Sequence, residues 1–357
     1  MLNFTVGPVQ MDEEIKTIGA EDIPYFRTSD FSKIMLDNER IILKLFEAPE
    51  GAKAIFLTGS GTSGMESSVM NILTCKDKVL IVNGGSFGKR FVEICQIHDI
   101  PYTEIVLSPG QALTAEHLNQ YENSEYTAFL VNVHETSTGV LYDMSLISNF
   151  CKRNGLVLIA DCISSFLADP LNMTEYGIDV AITGSQKALA VPPGISIVVL
   201  SRRAIQRVKS NSIKSLYFNF NSYLLDMERG QTPFTPAVGI LLQINKRLKQ
   251  LEQIGVAAEN NRIKNQAEDF RKKVKSLGFT FFAENMSNAV TALRVNGKIS
   301  AHRIFEILKD EYSIFVCPNG GELKDTVFRV GHIGSLTFAD NDTLIDSLRD
   351  LQIRGIL

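Results

Sequence analysis

The chain has 357 residues, of which 45% are hydrophobic and 21% charged, and its 36 Lys and Arg against 40 Asp and Glu give a formal net charge of −4. This composition is typical of a globular protein and excludes an intrinsically disordered one. The charge balance gives no electrostatic basis for binding nucleic acid or an anionic membrane surface.

The compartment is predicted from cysteine usage and hydropathy. The five cysteines form no CxxC pair, which favours free thiols in a reducing environment. No apolar run approaches the roughly 18 residues that span a bilayer, and the first residues do not resemble a signal peptide. We therefore expect a soluble, cytoplasmic protein without a membrane partner.

In the first two thirds of the chain, short apolar runs alternate with longer amphipathic stretches. The predicted strands are 54–58, 78–83, 102–107, 128–133, 156–161, 180–183 and 195–200. Their continuous apolar character is typical of strands covered on both faces, as in mostly parallel sheets. The clearest helical patterns between them are 64–75, 88–99 and 143–155. This alternation predicts an α/β layer with helices flanking the sheet.

After about residue 237 the pattern changes to a charged, helix-compatible tract that is broken at Gly255 and Gly278. A small α+β unit is predicted beyond it, with strands at 279–282, 289–295, 313–318 and 326–331, a helix at 301–312 and a last helix from about Asp340. We predict an N-terminal arm (1–15) lying between a large domain (16–250) and a small C-terminal domain (251–357).

The motif GSGTSG at 59–64 follows a predicted strand and opens a helix. Its glycines let backbone amides approach an anion at the positive end of the helix dipole, so a phosphate is the expected ligand. The spacing also fits the GxGxxG motif of dinucleotide-binding folds, which expects an acidic residue at the end of the second strand. Asn83 stands there instead, which favours a single phosphate. A helix start without a ligand remains an alternative.

Two further residues follow predicted strands and carry charge. Asp161 closes an apolar strand, where α/β sheets place their ligands and where a carboxylate needs a compensating partner; a helix N-cap is the alternative. Lys187 follows the strand at 180–183 in apolar surroundings that favour a neutral, nucleophilic amine; a solvated surface lysine is the alternative. A phosphate cradle, a carboxylate and an amine are together what pyridoxal phosphate requires.

The motifs GSGTSGMES, DKVLIVNGGSFGKR, HETSTG, ADCISSF, GSQKALAVPPG and FRVGHIG resemble those of the class V aminotransferases of pyridoxal-phosphate fold type I. The similarity extends over nearly the whole chain and is greatest to the alanine–glyoxylate, serine–pyruvate and 2-aminoethylphosphonate–pyruvate branch. The resemblance implies a large α/β domain with a mostly parallel seven-stranded sheet, a smaller C-terminal domain, and a homodimer with active sites at its interface.

The resemblance also implies a role for each matching residue. Lys187 would form the Schiff base with pyridoxal 5'-phosphate and move protons, and Asp161 would keep the ring nitrogen protonated. Arg329 would hold the substrate's carboxylate, a task suited to a bidentate guanidinium. The remaining positions would contact the cofactor: Ser60, Gly61, Thr62 and Gln186 at the phosphate, Phe87 and Ile163 on the two ring faces, Thr136 near the ring oxygen, and Thr235 from the neighbouring subunit.

The expected reaction is a ping-pong transfer of an amino group from a small amine or amino acid to a 2-oxo acid, pyruvate or glyoxylate. The segments 79–94 and 328–340 are most similar to the aminoethylphosphonate branch, whereas GSQKALAVPPG is closer to the alanine–glyoxylate branch. A cysteine desulfurase-like enzyme is a rival because Cys317 follows the lysine, although a buried structural thiol is the expectation for it. A nicotinamide-dependent oxidoreductase is the rival from another class.

Other polar residues carry weaker expectations. The five histidines lack metal-ligand spacing, and no metal site is predicted. His332 is expected in a solvated loop, with a contribution to the substrate pocket as the alternative. Arg27 could serve a second substrate anion or the dimer interface.

Overall fold

The computed structural model describes residues 1–295, 297 and 299–357. The α-helices are α1 (Glu13–Gly19), α2 (Ser29–Leu45), α3 (Gly61–Ile72), α4 (Ser86–Ile97), α5 (Ala115–Asn119), α6 (Met144–Arg153), α7 (Met173–Tyr176), α8 (Arg202–Ser210), α9 (Phe220–Met227), α10 (Val238–Ile254), α11 (Val256–Val274), α12 (Ala301–Tyr312) and α13 (Phe338–Ile353). The strands are β1 (Leu2–Asn3), β2 (Lys53–Thr58), β3 (Val79–Asn83), β4 (Tyr102–Val106), β5 (Ala128–Asn132), β6 (His134–Glu135), β7 (Val140–Leu141), β8 (Val157–Asp161), β9 (Val180–Gly184), β10 (Ile195–Leu200), β11 (Thr280–Phe281), β12 (Val290–Arg294), β13 (Ile314–Phe315), β14 (Cys317–Pro318) and β15 (Val327–Gly331).

A seven-stranded sheet in the order β2-β10-β9-β8-β5-β3-β4 forms the larger body. Strand β10 runs antiparallel to both β2 and β9, and the remaining pairs are parallel. The expected mostly parallel seven-stranded α/β fold is therefore confirmed. The predicted strands match because their apolar runs are buried almost end to end, as in β5, β8, β9 and β10.

Helices cover both faces of this sheet. Alternate strand residues point to opposite faces, so Phe56 of β2 joins one apolar cluster and Leu57 the other. Helices α3 and α4 pack on the second face through residues such as Val69 and Phe91. Helices α2, α6 and α10 pack on the first face. The crossover helices thus begin at the carboxyl edge of the parallel strands, which is where the motifs lie.

A four-stranded sheet in the order β11-β12-β15-β14 forms a second body near the C-terminus. Helices α11, α12 and α13 share an apolar cluster with it. The predicted single strand at 313–318 is instead two short strands, β13 and β14, of which β13 pairs in parallel with β1 of the N-terminal segment. The expected small α+β unit is present, with this local difference.

The predicted domain boundary near residue 250 stays a prediction. Helix α10 contacts α2 of the larger body, whereas α11 contacts α13 of the smaller one, which supports a division near Gly255 between them. The first residues lie against both bodies, since the backbone oxygen of Phe4 accepts from the N–H of Gly331 and that of Val6 accepts from the side chain of Lys187.

The part of the chain that the structure describes contains no helix with the length and apolar character needed to cross a membrane.

Candidate active site

Five of the motifs follow five strands that run in the same direction, and they meet at the carboxyl edge of the large sheet. Register places Asn132 beside Asp161, and Asp161 beside Ile182. Strand β2 has the same direction as these strands, because β10 is antiparallel to both β2 and β9. The strands β2, β3, β5, β8 and β9 are therefore followed at one edge by Gly59–Gly64, Ser86–Phe87, His134–Thr136, Cys162–Ile163 and Ser185–Lys187. This edge is the usual ligand site of such sheets.

Asp161 is a buried carboxylate at this edge. It is 5% exposed, and its Oδ1 accepts a 2.8 Å bond from the backbone N–H of Ile163. Burial raises the pKa of Asp161 to about 7, and the nearby charge of Glu135 acts in the same direction. Among the described residues no basic side chain lies within ion-pair distance of it. The site thus holds an acid whose ionised form needs a positive partner.

Lys187 is a buried amine on the loop after β9. It is 9% exposed, and its Nζ donates a 2.6 Å bond to the backbone oxygen of Val6. Burial lowers the pKa of Lys187 to about 8; the charge of Cys317 opposes this shift and that of Arg329 adds to it. At pH 7 about a tenth of this amine is therefore neutral and able to act as a nucleophile, far more than for an exposed lysine.

The glycine-rich loop begins helix α3 against the other motifs. Ser60 takes the N-cap position without a side-chain capping bond, so the first amides of the helix keep their capacity to bind an anion. A Cβ at Gly61 would lie only 2.3 Å from Cδ1 of Ile163, which shows how closely this backbone meets the loop after Asp161. Gln186 lies beside Gly184, and its buried Oε1 has no hydrogen-bond partner in the described part of the chain.

Phe87 lies in the first turn of α4 and is held there by a carboxylate that sequence analysis missed. The backbone N–H groups of Phe87 and Gly88 donate to Glu135 at 3.2 and 3.0 Å, and Asn132 donates its side-chain amide to the same residue. Glu135 is fully buried and acts as the helix N-cap in place of Gly85, which has no side chain. The signal available in the sequence was that Glu135 belongs to the HETSTG motif.

The guanidinium of Arg90 lies in the same region. Its Cζ is 4.8 Å from the centre of the Phe87 ring, and its Nη1 donates a 3.1 Å bond to Oγ1 of Thr62. The charge of Arg90 also reaches the site, since it lowers the pKa values of both Asp161 and Lys187. The sequence signals this position of Arg90 through its spacing of three residues from Phe87, which places both side chains on one face of a helix.

Thr136 and Arg329 connect the site to the small sheet. Thr136 is buried and shares a 2.7 Å hydrogen bond with Ser164. Its backbone oxygen accepts a 2.9 Å bond from Nη1 of Arg329, whose Nη2 donates to Pro318 at 2.7 Å. The Nε of Arg329 is buried and has no partner among the described residues. The guanidinium is thus fixed in orientation with donor capacity left for a ligand.

His134, in the same motif, is buried with both ring nitrogens unpaired in the described part of the chain. Burial lowers its pKa to about 3, so the ring is neutral at physiological pH.

Thr235 is exposed, unlike these buried groups. It lines a cavity of about 580 Å³ together with residues 23–26 and 236–240. The segment is tied to the end of β2, just before the glycine-rich loop, because the N–H of Ala237 donates to Oγ1 of Thr58 at 3.1 Å. Arg27 donates to the side chain of Gln231 and the backbone oxygen of Thr232, so it anchors the segment that precedes Thr235.

Two expectations need correction. His332 is not in a solvated loop: it is fully buried, bonded to Oγ1 of Thr291 at 2.8 Å and packed near the ring of Phe270. The apolar residues around β15 and α11 enclose it, which a reading of the motif alone could not show. Cys317 is only partly buried rather than enclosed, and it is close enough to Lys187 to act on the pKa of that amine.

The acidic residue that a dinucleotide site requires is absent at the end of β3. Asn83 stands there, and its amide donates a 2.8 Å bond to Glu104. Among the described residues no group of three or more His, Cys, Asp and Glu side chains is arranged to hold a metal ion.

Comparison with known proteins gives a family match over most of the chain. The family model described as Aminotransferase class-V matches residues 25–322. The chain is 30% identical to a protein of Anabaena cylindrica named soluble hydrogenase 42 kDa subunit, over 96% of this chain and 90% of that one. It is 29% identical to the L-aspartate–glyoxylate aminotransferase of Paracoccus denitrificans, over 94% of this chain and 87% of the relative.

A more distant relative is the 2-aminoethylphosphonate–pyruvate transaminase of Phocaeicola vulgatus, which is 26% identical over 98% of both chains. Among solved structures, the aspartate aminotransferase of subgroup IV from Thermus thermophilus superimposes with a TM-score of 0.92 over the full length of both chains, at 24% identity. That structural likeness supports the same fold.

Proposed function

Because the chain belongs to the class V aminotransferase family and is a transaminase, we propose that it binds pyridoxal 5'-phosphate and moves an amino group from a small amine or amino acid to a 2-oxo acid in two half-reactions. The observation that carries this proposal is the meeting of Lys187, Asp161 and the Gly59–Gly64 loop at one edge of the sheet. These three features are distant in sequence, and each is incomplete without a ligand.

The residues present fit this cofactor. The start of α3 at Gly61 has no side-chain cap, which suits a phosphate, and the buried Oε1 of Gln186 lacks a partner. Asp161 lacks a cation within ion-pair distance in the described part of the chain, which suits a protonated ring nitrogen. Phe87 and Ile163 supply apolar surface for the two ring faces. We propose Ser60, Thr62 and Thr136 as further contacts.

When bound, pyridoxal phosphate supplies an electron sink that stabilises negative charge on the substrate carbon. Lys187 would hold the cofactor through its Nζ and would move a proton at that atom, and a pKa of about 8 suits both roles near neutral pH. The carboxylate of Asp161 would hold a proton on the ring nitrogen. Arg329 binds the substrate's acidic group with the donors that Thr136 and Pro318 leave free.

For the substrates, we propose a 2-aminoethylphosphonate–pyruvate-like pair, with alanine or serine and glyoxylate as the alternative. Sequence similarity in the segments 79–94 and 328–340 supports the first choice, and two of the relatives named above are named for transfer to glyoxylate or pyruvate. The partly buried Cys317 near Lys187 is the one observation that favours a cysteine desulfurase-like activity as a second candidate.

A panel of donors tests this proposal. The cofactor-loaded protein is mixed with 2-aminoethylphosphonate, alanine, serine, phosphoserine or cysteine, and the change in cofactor absorbance and the release of sulfide are recorded. We expect the fastest half-reaction with 2-aminoethylphosphonate, no sulfide, and no conversion by Lys187→Ala. Conversion of no donor by the wild type would overturn the proposed transamination, and sulfide release would favour the second candidate.

We also propose that the molecule is a cytoplasmic homodimer and that Thr235 reaches the phosphate of the neighbouring subunit. The groove beside Thr235 exposes Ile23 and Tyr25, which are 67% and 69% accessible, and large exposed apolar side chains of this kind are typical of a covered surface. Sedimentation should give twice the mass of the chain, and Tyr25→Glu should shift it towards a monomer. A monomeric wild type with full activity would contradict this.

A further inference from the structure

Arg90 is a charged residue of the site to which neither the sequence motifs nor the comparisons give a role. It lies one turn after Phe87 on α4, with Cζ 4.8 Å from the centre of that ring. Its Nη1 donates to Oγ1 of Thr62, in the first turn of α3, at 3.1 Å. Two contacts from two different helices therefore fix the guanidinium beside the glycine-rich loop.

The surroundings of Arg90 favour the binding of an anion. Arg90 is half-buried, and no carboxylate lies within ion-pair distance of it among the described residues. It lies next to the start of α3, where the helix dipole already places positive charge. Lys187 and Arg329 add two further basic groups to the same site. An anion that binds beside Arg90 is therefore stabilised by several positive groups at once.

The bond to Thr62 also determines what that hydroxyl can do. Because Oγ1 of Thr62 accepts from Arg90, its own proton is free to be donated elsewhere. One set of donors therefore surrounds the start of α3: the guanidinium N–H groups of Arg90, the hydroxyl of Thr62 and the first amides of the helix. A tetrahedral dianion fits such a set better than a single carboxylate does.

We propose that Arg90 is a cofactor-positioning residue that neutralises the 5'-phosphate and orients the Thr62 hydroxyl towards it. This inference rests on the proposed function, since it needs pyridoxal phosphate in the site. A second acidic group of the amino donor, such as a phosphonate or carboxylate, has related chemistry and is the rival ligand in the test below. The contact with Thr62 favours the cofactor's phosphate.

The experiment compares cofactor binding to cofactor-free wild type, Arg90→Met and Arg90→Lys, with Lys89→Met as control because Lys89 is an exposed cation on the same helix. Binding of pyridoxal phosphate and of pyridoxal, which lacks the phosphate, is measured by absorbance titration. Inorganic phosphate is titrated separately by its effect on the melting temperature. We expect Arg90→Met to weaken pyridoxal phosphate binding about 10- to 100-fold, the scale of one charge-assisted bond.

The same variant should bind pyridoxal as the wild type does and should lose the stabilisation by inorganic phosphate, while Arg90→Lys should retain part of both. Equal losses for the two cofactor forms would show that Arg90 only supports Phe87 and would overturn the proposal. So would unchanged cofactor binding with a raised KM for 2-aminoethylphosphonate, which would place Arg90 at the substrate. If wild type itself bound no pyridoxal phosphate, the proposed function would fail first.

Discussion

At the scale of single residues, two buried charges govern the site. Burial raises the pKa of Asp161 to about 7 and lowers that of Lys187 to about 8. Both shifts have the same main cause, because removal from water disfavours the charged form of either group. These surroundings suit a ligand that brings a positive nitrogen to Asp161 and a carbonyl group to Lys187.

The substitution Asp161→Asn should stabilise the cofactor-free protein at pH 8. A carboxyl whose folded pKa is about 7, against 3.8 in the unfolded chain, contributes stability below pH 3.8 that is lost as the pH rises to 7. Asparagine has no such loss, so the variant should gain as much as about 4 kcal/mol relative to wild type between pH 4 and pH 8. Thermal unfolding as a function of pH measures this difference.

The control for this prediction is Asp346→Asn, which removes an exposed carboxylate paired with Arg349. It should change the pH dependence little. Asp161→Asn should also lose most of the transaminase activity. A variant that is no more stable than wild type at pH 8 would contradict the burial argument.

At the scale of elements, the start of α4 depends on a capping group from another loop. Gly85 precedes the helix without a side chain, and Glu135 accepts the N–H groups of Phe87 and Gly88 in its place. The carboxylate also faces the positive end of the helix dipole. The orientation of Phe87 and Arg90 on this helix therefore depends on the HETSTG loop.

Glu135→Gln should destabilise the protein by about 1 to 2 kcal/mol, because the variant loses the charge that favours the helix N-terminus. Denaturant unfolding gives the free energy. Glu93→Gln is the matched control, since Glu93 lies on the same helix, is exposed and pairs only weakly with Lys89 at 4.0 Å. Equal stability of the two variants would show that Glu135 is not the cap.

The elements also show how far sequence patterns reach. Helix 301–312 and strand 195–200 are found where predicted, because their apolar periodicity is local information. The run 313–318 divides into β13 and β14, since β13 pairs with the N-terminal segment. Because Asp161 and Lys187 each follow a predicted strand, the sequence was enough to predict that they lie at one edge of the sheet. The contacts of Glu135 and Val6 join segments that are distant in sequence, and no local pattern predicts them.

At the scale of the whole molecule, the N-terminal arm links the small sheet to the site. Strand β1 pairs with β13, Phe4 accepts from Gly331, and Val6 accepts from Nζ of Lys187. Gly7 follows with φ +128°, and a Cβ there would lie 2.8 Å from Cδ of Lys187. The arm thus sets the position of the lysine from outside the large sheet.

Gly7→Ala should weaken pyridoxal phosphate binding about tenfold, or about 1.4 kcal/mol, because the new methyl group displaces Lys187. Gly255→Ala is the matched control: Gly255 also has positive φ (+83°), but open space surrounds it. The control should lose about 1 kcal/mol of stability through backbone strain and keep its cofactor affinity. Equal affinity in the two variants would show that the arm does not position the lysine.

The most direct test of the whole account is the site of cofactor attachment. The protein is incubated with pyridoxal phosphate, reduced with borohydride, digested and mapped by mass spectrometry. The account predicts a stable pyridoxyl phosphate adduct on the peptide that contains Lys187, and no adduct there in Lys187→Ala. Stoichiometric labelling of another lysine, with Lys187 unmodified, would contradict it.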